Sequence, residues 1–146
     1  MKKIAALTIA VVVTLSCSGD DDNDNVSLTG TWKLTSATLP EAVDFNNDGT
    51  ASTDVMTETG CLNNSTIVFT DNVATAIVNM QTVDIRQQNN GTYTVECGEA
   101  ETEYAPFAES EHIVTLTSDV FYTPFTKVGN RLTTNLYGGS VVFTKQ

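Results

Sequence analysis

Basic residues are scarce in this chain of 146 residues: seven Lys and Arg face eighteen Asp and Glu, a formal net charge of −11. Phosphate recognition needs a basic stripe, so nucleic acid is excluded as a partner. Histidine is scarcer still. One His and three Cys are too few for a zinc shell and supply no oriented base for a nucleophilic triad. No Gly-rich phosphate loop, dinucleotide fingerprint or Gly-x-Ser-x-Gly run occurs. The chain is read as a non-enzyme. Leucine is underused as well: nine Leu against 24 Thr and 16 Val favour strands over a helical bundle. Long apolar runs are missing too. The longest, residues 4–15, is about 18 Å as a helix, against a hydrocarbon core of ~30 Å.

What is present begins with an address. Met1-Lys2-Lys3 is a cationic start to that short apolar run, so residues 1–16 read as a signal peptide. Thr14-Leu15-Ser16-Cys17 resembles a bacterial lipobox, in which a small residue precedes a Cys that is acylated, with palmitate for example, after cleavage. The resemblance implies a lipid anchor at Cys17; an ordinary secretory signal with a free thiol is the alternative. Residues 17–27 then form a tether with four Asp and no basic residue, solvated and self-repelling. An acidic run behind such a Cys resembles the export signal of Bacteroidetes surface lipoproteins. It implies an outer-membrane protein facing the cell exterior, the alternative being a plain spacer.

Cysteine parity agrees with the anchor. Acylating Cys17 leaves Cys61 and Cys97 to form a disulfide in an oxidising compartment. The bridge would close a long loop and contribute about 3–4 kcal/mol by chain entropy. Two separate buried thiols are the alternative.

Residues 28–146 make the folded domain, with five cations against fourteen acids. They divide into short alternating runs, the mark of an antiparallel sheet with one wet face. Strands are expected over residues 30–39, 64–70, 73–81, 83–87, 92–96, 112–117, 120–128, 131–136 and 141–145. Asp71-Asn72, Asn89-Asn90-Gly91, Gly129-Asn130 and Gly138-Gly139 are the turns. The expected fold class is all-β, an eight-stranded antiparallel up-and-down barrel that hides its own edges. A two-sheet β-sandwich is the alternative.

Gly30-Thr31-Trp32 resembles the Gly-x-Trp signature of lipocalins, whose Trp plugs the closed end of the barrel. The wider pattern is similar to the lipocalin-like domains of Bacteroidetes lipoproteins. It runs through the Asp44–Gly49 loop, Glu58-Thr59-Gly60-Cys61, Asn64-Ser65-Thr66 and Phe143-Thr144-Lys145. The resemblance implies a small hydrophobic ligand inside the barrel, and a basic residue, Lys145 or Arg131, against Trp32 by a cation–π contact.

Three features carry the remaining chemistry. His112 shares a face with Val114 and Leu116 if the strand begins there, and is placed on the barrel lining or rim. Glu96, Glu99, Glu101, Glu103, Glu109 and Glu111 form an uninterrupted acidic stretch. Such carboxylates can pair for glycosidic chemistry, but their spacing suits a solvated loop or face better. Asp44, Asn46 and Asp48 offer side-chain oxygens at positions 1, 3 and 5 of a loop with Gly49 at 6, Thr50 at 7 and Ser52 at 9. Converging oxygens about a sharp turn are what Ca²⁺ needs. Val55 stands where the bidentate Glu would be, with Asp54 or Glu58 as substitutes; an Asx-turn loop without metal is the alternative.

Two function classes remain. One is a carrier or sensor with a small apolar ligand in the barrel. The other is a surface module with a filled barrel, whose acidic loops meet a glycan or protein. Trp32, Leu34, Ile67, Phe69, Tyr93, Phe121, Phe125 and Phe143 are the inward candidates. Their bulk leans toward a filled or narrow interior.

Overall fold

Strand alternation sets the core. Along the first strand Trp32 and Leu34 point inward and are buried, while Thr31, Lys33 and Thr35 stay exposed. Ile67 and Phe69 repeat the pattern in the next barrel strand, and Ala76 and Val78 in the one after. The structure, a computed structural model, describes residues 26–117, 122–136 and 138–146. The expected signal peptide, Cys17, most of the expected tether and Phe121 lie outside the described residues.

Nine strands and one short helix occur among the described residues, in the order β1 (Gly30–Val43), β2 (Ser52–Asp54), α1 (Val55–Thr59), β3 (Thr66–Phe69) and β4 (Thr75–Gln87). There follow β5 (Tyr93–Ser110), β6 (Ile113–Thr117), β7 (Tyr122–Val128), β8 (Arg131–Leu136) and β9 (Gly139–Lys145). From β3 to β9 each strand pairs with the next, and β9 returns to β1, which also pairs with β3. The result is a closed eight-stranded antiparallel barrel, as the alternation implies, and not a sandwich. The extra strand, β2, pairs only with the far end of β1, Thr38 opposite Asp54 and Val43 opposite Ser52.

Two expected strands, residues 73–81 and 83–87, are one. β4 runs unbroken through Thr82 because the irregularity is taken up by its partner β5, which bulges at Gly98 and Glu99: Gln81 faces Ala100, whereas Val83 already faces Cys97. Gly98 sits in the bulge because a Cβ there would collide with the Thr82 side chain. The acidic stretch is likewise no loop. Glu96 to Glu109 belong to β5, the longest strand, which pairs with β4 from Thr75 opposite Pro106 to Gln87 opposite Tyr93. Glu has low strand preference, and cross-strand pairing overrides it. Beyond the bulge the β4–β5 hairpin projects from the barrel. There Arg86 pairs with Asp84, whose hydrogen bond and charge, with Glu96 adding, hold its guanidinium above the ordinary value.

Inside the barrel, aromatic rings meet edge to face. Phe69 and Phe107 lie 4.9 Å apart between centroids, and Phe125 and Phe143 lie 6.0 Å apart. Tyr93 is the exception among the described inward candidates. It sits past the bulge, half-buried, with its ring 5.2 Å from Phe45. His112 is exposed in the turn between β5 and β6, one residue before the alternation begins. It therefore does not line the barrel.

Candidate functional site

One end of the barrel is shut. The Trp32 indole N–H donates to the Leu28 carbonyl at 2.7 Å, which draws the entering chain across the barrel bottom. Gly30, at φ 126°, supplies the bend between them. Lys145 stands 5.9 Å from the Trp32 ring centroid and donates to the Ser27 carbonyl at 2.5 Å. Of the two basic residues expected near Trp32, the contact falls to Lys145. Arg131 is exposed at the start of β8, on the strand face opposite to the buried Leu132. Near the same end Lys127 and Glu109, both at inward-facing positions, form an ion pair at 2.7 Å.

The other end opens into a cavity of about 590 Å³, within the size range of small-molecule pockets. Its walls are apolar: Ile67, Val78, Met80, Leu116, Phe125, Val141 and Phe143. Thr82, Thr123 and Thr134 add hydroxyl-bearing residues, and Glu101 and Glu103 add carboxylates. The bulky inward candidates therefore do not fill the barrel. Trp32 and Phe69 sit toward the closed end and do not line the cavity, while Ile67, Phe125 and Phe143 form part of its walls. The two inward Glu were hidden by the reading of their stretch as loop. Counting back by twos from the buried Ala105 would have placed both inside.

Beside the open end, residues 44–61 form a braced flap. Asp54 caps α1, accepting from the N–H groups of Met56 at 2.9 Å and Thr57 at 3.2 Å; Gly60 ends it in the left-handed conformation. Cys61, fully buried, is disulfide-bonded to Cys97 on β5. Asn47 extends the link by pairing with the Tyr93 backbone as a strand residue would. Its Nδ2 donates to the Tyr93 carbonyl and its Oδ1 accepts from the Tyr93 N–H, both at 2.8 Å. Buried Glu58 accepts from the Phe45 N–H at 3.0 Å and the Asn46 N–H at 3.5 Å. Glu58 stands in the Glu58-Thr59-Gly60-Cys61 motif, whereas Asn47 carries no sequence signal beyond residue type.

The structure brings Asp44, Asn46 and Asp48 together around their own backbone. Asp44 accepts from the N–H groups of Asp48 at 3.0 Å and Gly49 at 2.9 Å. Asn46 Oδ1 accepts from the Asp48 N–H at 2.9 Å, and Asp48 Oδ1 from the Thr50 N–H at 2.8 Å. Ser52 turns away and accepts from the Asp54 N–H at 3.0 Å. With these hydrogen bonds the loop has an internal frame. Asp44→Ala, measured by urea unfolding in excess chelator, is accordingly expected to cost about 1–2 kcal/mol for two lost hydrogen bonds. No change would show that the Asp44 bonds do not hold the loop.

Comparison with known proteins agrees with this geometry. Residues 28–122 match the family described as Lipocalin-like domain. The match begins at the Leu28 carbonyl that Trp32 uses and ends at the first residue of β7, and the barrel needs β7, β8 and β9 for closure. No curated protein and no solved structure matches.

Proposed function

The chain belongs to the lipocalin-like domain family, and from that premise we propose that it is a binding protein whose barrel holds a small molecule with an apolar body. The observation that carries this is the cavity of about 590 Å³, shut at the Trp32 end and walled by aliphatic and phenyl side chains. Burial of such a ligand releases water from apolar surface on both partners. A filled barrel serving only as a docking surface would have no need of that space. In this proposal the domain stands away from the outer membrane on the acidic tether, anchored through Cys17, and meets its ligand outside the cell. The lipobox-like and acidic segments support that placement.

Binding of neutral N-phenyl-1-naphthylamine to the unlipidated mature protein (Cys17→Ser) tests the reading. One saturable site with fluorescence enhancement is expected. Met80→Trp, from a half-buried wall position, should fill the space and weaken binding about tenfold or more while the fold persists. Absence of saturable binding, or equal affinity in the variant, overturns the proposal.

A further inference from the structure

Inward-facing acids are treated differently at the two ends of this barrel. At the closed end Glu109 lies opposite Val114 and Lys127 opposite Leu132, on the inner face, and the two neutralise each other at 2.7 Å. At the open end Glu101 lies opposite Met80 and Glu103 opposite Val78, again on the inner face. Both line the cavity. They are two positions apart on one strand, about 7 Å. Among the described residues neither has a cation or a hydrogen-bond partner: the ion pairs there are Arg86–Asp84 and Lys127–Glu109. Among the threonines of the wall, Thr134 is the buried one. Thr134 is 6% exposed and lines the same cavity, and no hydrogen bond to its hydroxyl occurs among the described residues.

We propose that the cavity selects a cationic amphiphile, with its apolar body between Ile67, Leu116, Phe125 and Phe143 and its ammonium at the rim beside Glu101 and Glu103. The proposal rests on the small-molecule reading above and narrows it to a ligand class. Glu103 is half-buried and Glu101 more exposed, so the pair stands where an apolar wall meets water. A charge there is screened less than on an open surface, and an ammonium restores the balance that Lys127 provides at the other end. A fatty acid would bring a third negative charge to the same place. A bare metal ion fits no better. No group of three or more His, Cys, Asp or Glu suited to a metal occurs among the described residues, and two distant carboxylates make a poor shell. Thr134 offers a hydrogen bond to a polar group within the ligand.

Decylammonium, decanol and decanoate share one chain and differ in the head, so their displacement of N-phenyl-1-naphthylamine from the unlipidated mature protein isolates the head-group preference. Decylammonium is expected to bind about tenfold more tightly than decanol, with decanoate weakest. Raising NaCl to 0.5 M should shrink that gap, since it is electrostatic. Glu101→Gln with Glu103→Gln should abolish it, and because the gap is the ratio of decylammonium to decanol affinity on the same variant, any change in the affinity of the fluorophore cancels. Equal binding of decylammonium and decanol, tighter binding of decanoate, or a preference that survives the double substitution overturns the cationic assignment alone. Failure of the fluorophore and all three chains to bind overturns the small-molecule reading beneath it.

Discussion

Trp32→Ala is expected to lower the unfolding free energy by about 3–5 kcal/mol, the usual cost of deleting a buried Trp. Three features of the site put the value toward the upper part of that range. The side chain is fully buried, its N–H holds the Leu28 carbonyl at 2.7 Å, and Lys145 stands over its ring. Truncation therefore leaves a void at the barrel bottom, releases the segment that covers it and strands a carbonyl. For a domain whose stability is of the ordinary 5–15 kcal/mol this is a large fraction. The melting temperature should fall by on the order of 10–20 °C. Trp32→Phe keeps most of the volume and removes the donor, so about 1–3 kcal/mol is expected for it. Equal small losses for both variants, read by urea unfolding, would show that the plug does not hold the barrel.

Removing the disulfide is the second large effect. Cys61 and Cys97 are 36 positions apart, and for a loop of that length chain entropy gives about 3–4 kcal/mol. Cys61→Ala with Cys97→Ala is the appropriate pair, because Cys61 is fully buried and Ala brings no polar group there. The loss has a location as well as a size. The bridge joins the segment after α1 to β5 beside the bulge, so its absence should first loosen residues 44–61 and the projecting hairpin. Amide hydrogen exchange should rise there and much less at the β7–β8 turn, which is far from the bridge in the sheet. A stability change below about 1 kcal/mol would contradict the entropic account.

Most of the barrel was legible in the sequence because alternation and turn chemistry act locally. Trp32 with Leu34 and Ile67 with Phe69 reveal their faces by period two, and Asp71-Asn72 and Gly129-Asn130 occupy turns as expected. The start and stop of α1 are local signals as well, Asp54 capping it and Gly60 ending it. The failures share a cause: each depends on what a segment pairs with. A bulge at Gly98 cannot be seen without Thr82 opposite it, and the acidic stretch reads as loop until β4 holds it. Glu101 and Glu103 were thereby assigned to solvent when register puts them inside. Interior volume was the other miss. It depends on where the bulky residues cluster along the barrel axis, and a list of inward residues does not contain that coordinate.

If the open end of the barrel receives a small molecule, amide chemical-shift mapping with N-phenyl-1-naphthylamine locates that molecule directly. The largest changes are expected at residues 78–82, 101–103, 134–136 and 141–143, which surround the cavity. The closed-end turns at residues 71–72, 111–112 and 129–130 should remain unchanged. Changes confined to those turns or scattered over the outer face would contradict the account.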